Sequence, residues 1–305
     1  MSSILTNTAA MTALKNLMSI NNELTATQNR ISTGLKVSSA QDNAAYWSIS
    51  TTMKSDESSI KTVNDALSLG ASAIDVAYNG TNQALTAAQK IKDDLTSATA
   101  QGVDRAKIQA DITQLQAQLK STADSSSFSG KNILSVNSAA TSYNATMSIV
   151  SSYTRGATGI TIGTIDVSVT SSALYDSNGN AGILDKTFAA GAGTTSVATL
   201  DISALTDSAT DQATLTQMIN GVDAAISAMT TSAANLGAAQ TRISNQKSFI
   251  QSLTDSIDKG VGALVDADMT TESTKLQALQ VQQQLATQAL SIANQSSSAI
   301  LSLFK

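Results

Sequence analysis

Apolar residues recur at every seventh position from Val222: Val222, Met229, Leu236, Ile243, Ile250, Ile257 and Leu264. The series three residues earlier reads Ile219, Ile226, Ala233, Gln240, Lys247, Thr254 and Val261, so it is apolar at its ends and polar in its middle. This is an a/d heptad pattern, sharp in one series and diluted in the other. A continuous helix over residues 215–264 would run roughly 75 Å at 1.5 Å per residue. A seam of that length needs a second long helix beside it. The same spacing from Tyr46 supplies one: Tyr46, Ile49, Met53, Ile60, Val63, Leu67, Ile74, Ala77, Ala84, Ala88, Ile91, Leu95 and Ala98, with Asp56 and Gly70 as misfits and Thr81 small but polar. A sustained seven-residue repeat predicts a left-handed supercoil.

Two further amphipathic stretches lie outside these. Residues 4–35 carry Leu14, Leu17, Leu24, Ile31 and Leu35 on one seam, with Asn21 and Gln28 at the intervening positions. Residues 276–304 carry Leu276, Leu279, Gln283, Ala286, Leu290, Ala293, Ser297, Ile300 and Phe304. Both seams are sparse, and isolated helices of this kind are marginal in water. They are therefore expected to order chiefly through contacts between copies of the chain. Gly34 reads as a helix stop, Ser38 to Gln41 as a capping box, and Gly102 and Asp104 as a C-cap and a new N-cap. A third helix to about Ala123 uses Ile108, Ile112, Leu115 and Leu119, and its short connection predicts antiparallel packing on the helix before it. A break is predicted over Gly260, Gly262 and Asp266 to Thr271, with Asp268 capping the last helix and Glu272 complementing its dipole.

From about Ser135 to Asp211 the period falls to two. Ile160 and Ile162 alternate in one phase, Ile165, Val167 and Val169 in the other, and the flip at Gly163-Thr164 calls for a β-bulge. Phe128-Ser129-Gly130, Asn178-Gly179 and Gly191 to Gly193 read as turns. The Asn/Gly-rich part, about 172–196, reads as exposed. The predicted fold is mainly α: a long antiparallel helical coiled-coil bundle built from both chain ends, with a small β-rich insertion in the middle. Residues 1–40 and 270–305 form the terminal helices, 41–134 and 212–269 the long-helix bundle, and 135–211 the insertion.

Composition narrows the chemistry. The 305 residues include no Cys, no Pro and no His. The absence of Cys rules out disulfides and thiolate sites. The absence of His rules out Ser-His-Asp triads and HExxH metalloprotease sites. A Pro-free chain suits long uninterrupted helices. Aromatics make up 3%, so Ala, Leu, Ile, Val and Met must supply the burial. The net charge of −5, with both signs interspersed, offers no basic stripe for nucleic acid. No apolar run reaches membrane-spanning length, and residues 1–20 lack the form of a cleaved signal peptide. Asp93-Asp94 and Asp266 with Asp268 read as solvated faces and caps rather than acid/base or metal pairs. No catalytic, cofactor or metal site is expected. Asn79, Asn144 and Asn294 open N-x-S/T triplets of the kind that arise by chance.

The ends carry linked motifs. One runs Asn29-Arg30-Ile31-Ser32-Thr33-Gly34-Leu35-Lys36-Val37-Ser38-Ser39-Ala40-Gln41-Asp42-Asn43-Ala44-Ala45; the others are Leu236-Gly237-Ala238-Ala239-Gln240-Thr241-Arg242-Ile243, Val265-Asp266-Ala267-Asp268-Met269 and the tail from Ala293-Asn294-Gln295 to Lys305. In this order they resemble bacterial flagellin over roughly residues 1–134 and 212–305. Tyr46-Trp47, where the family has Gly, is similar to its alphaproteobacterial branch. The resemblance implies an extracellular structural subunit, not an enzyme, which polymerises into the filament used for swimming. A hook–filament junction protein has similar terminal helices and is the alternative. A coiled-coil signalling module would not explain the insertion or the terminal motifs. The implied partners are other flagellin copies, alone or mixed with sister flagellins, a flagellar export chaperone, the type III export apparatus, and the filament cap and hook-associated proteins. By the same resemblance the core seam is Leu14, Leu17, Leu24, Ile31, Leu276, Leu279, Leu290, Ile300 and Phe304. Gln89, Lys90, Ile91, Lys92 and Asp93 stand where enteric flagellins carry their innate-receptor motif, with Ala88 and Asp94 replacing its two leucines.

Overall fold

Long helices flank a middle segment built of strands. The computed structural model describes residues 6–179 and 181–302, with side chains through Gln295. In chain order come α1 (Thr8–Thr33), α2 (Ala44–Ser97), α3 (Arg105–Ser125), β1 (Ser127–Phe128), β2 (Lys131–Asn132), β3 (Ser135–Val136), β4 (Thr146–Gly156), β5 (Gly159–Ser168), β6 (Tyr175–Asp176), β7 (Phe188–Ala190), β8 (Gly193–Thr195), α4 (Ala209–Val265) and α5 (Met269–Ser302). By packing, the chain divides into two units: residues 1–58 with 254–305, and residues 59–253.

In the second unit α2 and α4 run antiparallel. Lys92 Nζ pairs with Asp223 Oδ1 at 2.5 Å, and Gln240 Nε2 donates to Asp75. The heptad residues Leu67, Ile74, Ile91 and Leu95 of α2 and Leu215, Val222, Met229, Leu236 and Ile243 of α4 are buried, joined by Ile112 and Leu119 of α3. The second series of α4 differs from the sequence expectation. Met218, Ala225, Ser232 and Ala239 are buried, one residue before Ile219, Ile226, Ala233 and Gln240. Of the latter four Ala233 is buried as well and the other three are half-buried, so the seam is shared between the two phases, while Thr254 and Val261 further along are buried as expected. Gln240 and Lys247 lie half-buried at the edge of this seam, and the Gln240 amide meets the cost of partial burial through its hydrogen bond to Asp75. Arg105 closes the α2–α3 corner: its Nε donates to the carbonyl of Ala98 at 3.0 Å and Nη2 to Asp207 at 2.6 Å.

Among the described residues the middle segment forms four two-stranded ladders, β1–β2, β3–β6, β4–β5 and β7–β8, of which only β3–β6 is parallel. The bulge falls where the hydrophobic phase flips: Val150 pairs with Thr164 and Ser152 with Gly163, leaving Ser151 as the extra residue. It turns Ile165, Val167 and Val169 inward and leaves Ile160 and Ile162 exposed. Ser129 (φ 50°) and Gly130 (φ 77°) make the β1–β2 turn. Gly70 of α2 is not a defect in the seam. A Cβ there would lie 2.5 Å from Ile149 Cγ2, so the missing side chain is the seat of β4. Gly221 of α4 gives Phe188 the same access. The stretch 172–196 is less open than its Asn/Gly content implies, because Ala173, Leu174, Tyr175, Asp176 and Leu184 are buried.

Candidate functional site

The sequence assigns assembly to the chain ends, and in the first unit α1 and α5 form an antiparallel hairpin. Arg30 Nη1 meets Glu272 Oε1 at 3.2 Å, Gln283 Nε2 donates to Asn21 Oδ1 at 2.7 Å, and Asn7 Nδ2 donates to the Ala293 carbonyl at 2.9 Å. Asn7 also caps α1 by accepting from Ala10 N–H, and Gly34 (φ 72°) ends it with its N–H on the Arg30 carbonyl. In a helix only a Gly or Asn adopts that left-handed terminal conformation cheaply.

The connection from α1 to α2 is held from both sides. Lys36 and Val37 donate backbone N–H groups to the Val265 carbonyl, and Ala267 N–H donates to Gly34 O. Val37, Val261 and Val265 form a small core with Leu35, Met53, Ile257 and Leu264 against it. The predicted capping box at Ser38 to Gln41 is a different device. Asp42 Oδ2 accepts from the backbone N–H and hydroxyl of both Ser38 and Ser39, while Asn43 Oδ1 caps α2 through Ala45 and Tyr46 N–H. Bonds from Ser39 first, then Ser38, hold the Asp42 carboxyl below its ordinary value. Asp268 caps α5 as expected, accepting from Thr271 and Thr270, and those bonds lower its carboxyl in the same way. The predicted break at Gly260 and Gly262 does not occur; α4 continues through both to Val265.

The hairpin uses part of the seam read from the sequence. Leu17, Leu24 and Ile31 of α1 are half-buried, as are Leu276 and Leu290 of α5, and Leu279 is buried. The intervening α1 positions are Ala13, Ile20 and the buried Thr27, not Leu14, Asn21 and Gln28. The helix is turned so that small or aliphatic groups enter the seam and the amides stay in water. Leu14 is consequently 48% exposed. The side chain of Ile300 and all of Phe304 lie outside the described residues.

Turning Leu14 outward builds a second stripe. Met11, Leu14 and Met18 follow one another on α1, with Met18 59% exposed; on α5 Val281, Leu285 and Ile292 do the same, with Leu285 58% exposed. Between the two helices runs an open groove of about 650 Å³, walled by Ala9, Ala13 and Ile20 on one side and Leu285, Ala286 and Ala289 on the other. Exposed apolar stripes of this extent mark contact surfaces. Periodicity in the sequence could have revealed the 11-14-18 stripe; it was hidden because Leu14 satisfies both spacings.

At the position of the receptor motif, Ile91 is buried and Lys92 is tied to Asp223, while Gln89, Lys90 and Asp93 are exposed. Burial, followed by the charges of Asp111 and Asp93, raises the neighbouring Asp94 carboxyl. Among the described residues no group of three or more Asp, Glu, His or Cys side chains is placed to hold a metal ion. None of their helices is long and apolar enough to cross a membrane.

Comparison with known proteins bears on both ends. The N-terminal helical region of bacterial flagellin matches residues 4–139, and its C-terminal helical region matches residues 219–304. The chain is 45% identical to Flagellin C of Rhizobium meliloti (strain 1021) over 326 residues and 39% identical to Flagellin A of Rhizobium meliloti over 397. It is 44% identical to the flagellin of Brucella melitensis biotype 1 over 306 residues. In each case the match covers 100% of both chains.

Proposed function

The chain belongs to the bacterial flagellin family and is a structural subunit of the flagellar filament, and from that premise we propose that the α1–α5 hairpin is its polymerising element. One observation carries this reading: the hairpin buries one seam internally and leaves a second apolar stripe on each helix in water. The ridge Met11, Leu14 and Met18 of one copy has a complement in the Ala-walled groove of the next. Ridge and groove are different patches of one molecule. A contact of that type is heterologous, and unless its rotation closes it generates an open helical fibre. Leu17, Leu24, Ile31, Leu276, Leu279 and Leu290 then shape the hairpin, while Met11, Leu14, Met18, Val281, Leu285 and Ile292 join copies. In this reading residues 1–40 and 270–305 make the filament core, the α2–α4 pair surrounds it, and 135–211 faces outward.

The same reading carries the wider partners. An export chaperone and the type III apparatus deliver the chain, and the filament cap and hook-associated proteins bound the polymer. Nothing in the fold or among the relatives favours the hook–filament junction alternative. The family is one of structural proteins, and the chain is read as having no enzymatic role.

Paired substitutions test the division of labour. Leu285→Asp changes an exposed residue, where monomer stability should move by no more than about 0.5 kcal/mol. It should nevertheless abolish seeded elongation followed by light scattering. Leu290→Asp puts a charge into the internal seam, so it should lower the helicity of the monomer as well as stop elongation. Normal elongation by Leu285→Asp would refute the proposed surface.

A further inference from the structure

We propose that Tyr46, Trp47 and Ile49, at the start of α2, form a second contact with another copy of this chain, separate from the α1–α5 stripes. The proposal rests on the filament reading above and adds residues that the reading does not use. The three side chains are 44%, 39% and 49% exposed. The sequence pattern places Tyr46 and Ile49 on the α2 seam, but within the first unit the buried positions on that stretch are Ser50 and Glu57, with Met53 packed on the small core around Val37. Neither aromatic is among the residues packed on the small core around Val37, and each keeps about two fifths of its surface in water.

The chemistry of the patch is that of a contact anchor. The chain has ten aromatic residues in all, one of them Trp, and two stand together here in water. Trp and Tyr are the side chains most enriched at energetically dominant interface positions. Interface centres are depleted of charge, and no charged residue occurs from Asn43 to Met53. The patch is also held in place. Asn43 caps the turn beneath Tyr46, and Asp42 clamps the preceding Ser38 and Ser39. An anchor on a fixed backbone loses little freedom when it binds.

Size and position select the occupant. Three side chains exposed to this degree offer on the order of 300 Å², given the 150–250 Å² that a buried aromatic contributes. A stable pair needs about 800 Å² per partner. The patch is thus too small to hold a dimer alone and must be one part of a composite contact. The chain already makes such contacts as a filament subunit, and the patch lies in the same packing unit as the α1–α5 hairpin. A second copy of this chain fits both requirements.

Trp47 is the only Trp, so intrinsic fluorescence reads this site alone. Monomer should show a half-exposed indole whose emission does not change with protein concentration. On seeded elongation the emission should shift to the blue, and acrylamide quenching should fall at least threefold. Trp47→Gln should keep the melting curve and helicity of the monomer but raise the critical concentration for elongation about tenfold. Filaments whose Trp47 quenching equals that of monomer, or a Trp47→Gln chain that elongates at the wild-type critical concentration, would overturn this contact and leave the terminal stripes untouched. Failure of the wild-type chain to elongate at all would overturn the subunit reading together with it.

Discussion

At the scale of single residues, the joint between the terminal helices and the rest of the first unit depends on carboxylates that cap backbone. Asp42 takes four hydrogen bonds from two serines, and its carboxyl is held below the ordinary value near 3.8. A lowered folded value means that the stabilisation is present above the unfolded value and is lost as pH falls through the folded one. Asp42→Ala should therefore lower the melting temperature at pH 7, and the gap from wild type should close below about pH 4. A gap of constant size from pH 7 to pH 3 would show that the serines are held by something else. In the other unit Arg105 is buried and gives hydrogen bonds to Ala98 O and Asp207. Arg105→Met should cost about 1.5–3 kcal/mol, the range for hydrogen bonds to a charged group, read as a lower urea midpoint at unchanged slope.

At the scale of elements, Gly70 shows how far the sequence could be read. Alone it looks like a lapse in a heptad; beside Ile149 it is the seat of β4. Gly70→Ala gains about 1 kcal/mol of helix propensity. It also drives a methyl into a packed side chain, and overpacking of this kind costs about 1–3 kcal/mol. Net destabilisation of the monomer, seen as a lower melting temperature, is expected; a stabilised variant would mean that β4 can lift off α2. The long helices, the Gly34 stop, the Asp268 cap and the bulge opposite Gly163-Thr164 were legible because each is set by local chemistry or by a clear period. The phases of the α1 and α4 seams were not. α1 is turned so that Asn21 and Gln28 stay exposed, and α4 shares its second seam between two adjacent positions with Gln240 half-buried on Asp75; the cost of desolvating such groups is not included in heptad counting. The burial around Leu174 and Leu184 was hidden by the neighbouring Asn and Gly, since turn residues say where a chain bends and not what it bends around.

At the scale of the whole molecule, the proposed assembly gives a use to the apolar surface left exposed on α1 and α5. A monomer gains nothing by holding Met18 and Leu285 in water, whereas a fibre recovers that burial once per copy. In the proposed assembly the seam residues inferred from the sequence divide between two tasks, closing the hairpin and joining copies, with Leu14 on the joining side. The most direct test is a reconstruction of the filament by electron cryomicroscopy at side-chain resolution. The account predicts that Met11, Leu14 and Met18 of one copy lie in the groove walled by Ala13, Leu285 and Ala289 of another, with all six buried. A filament in which these residues line an open water-filled channel, with the copies joined elsewhere, would contradict it.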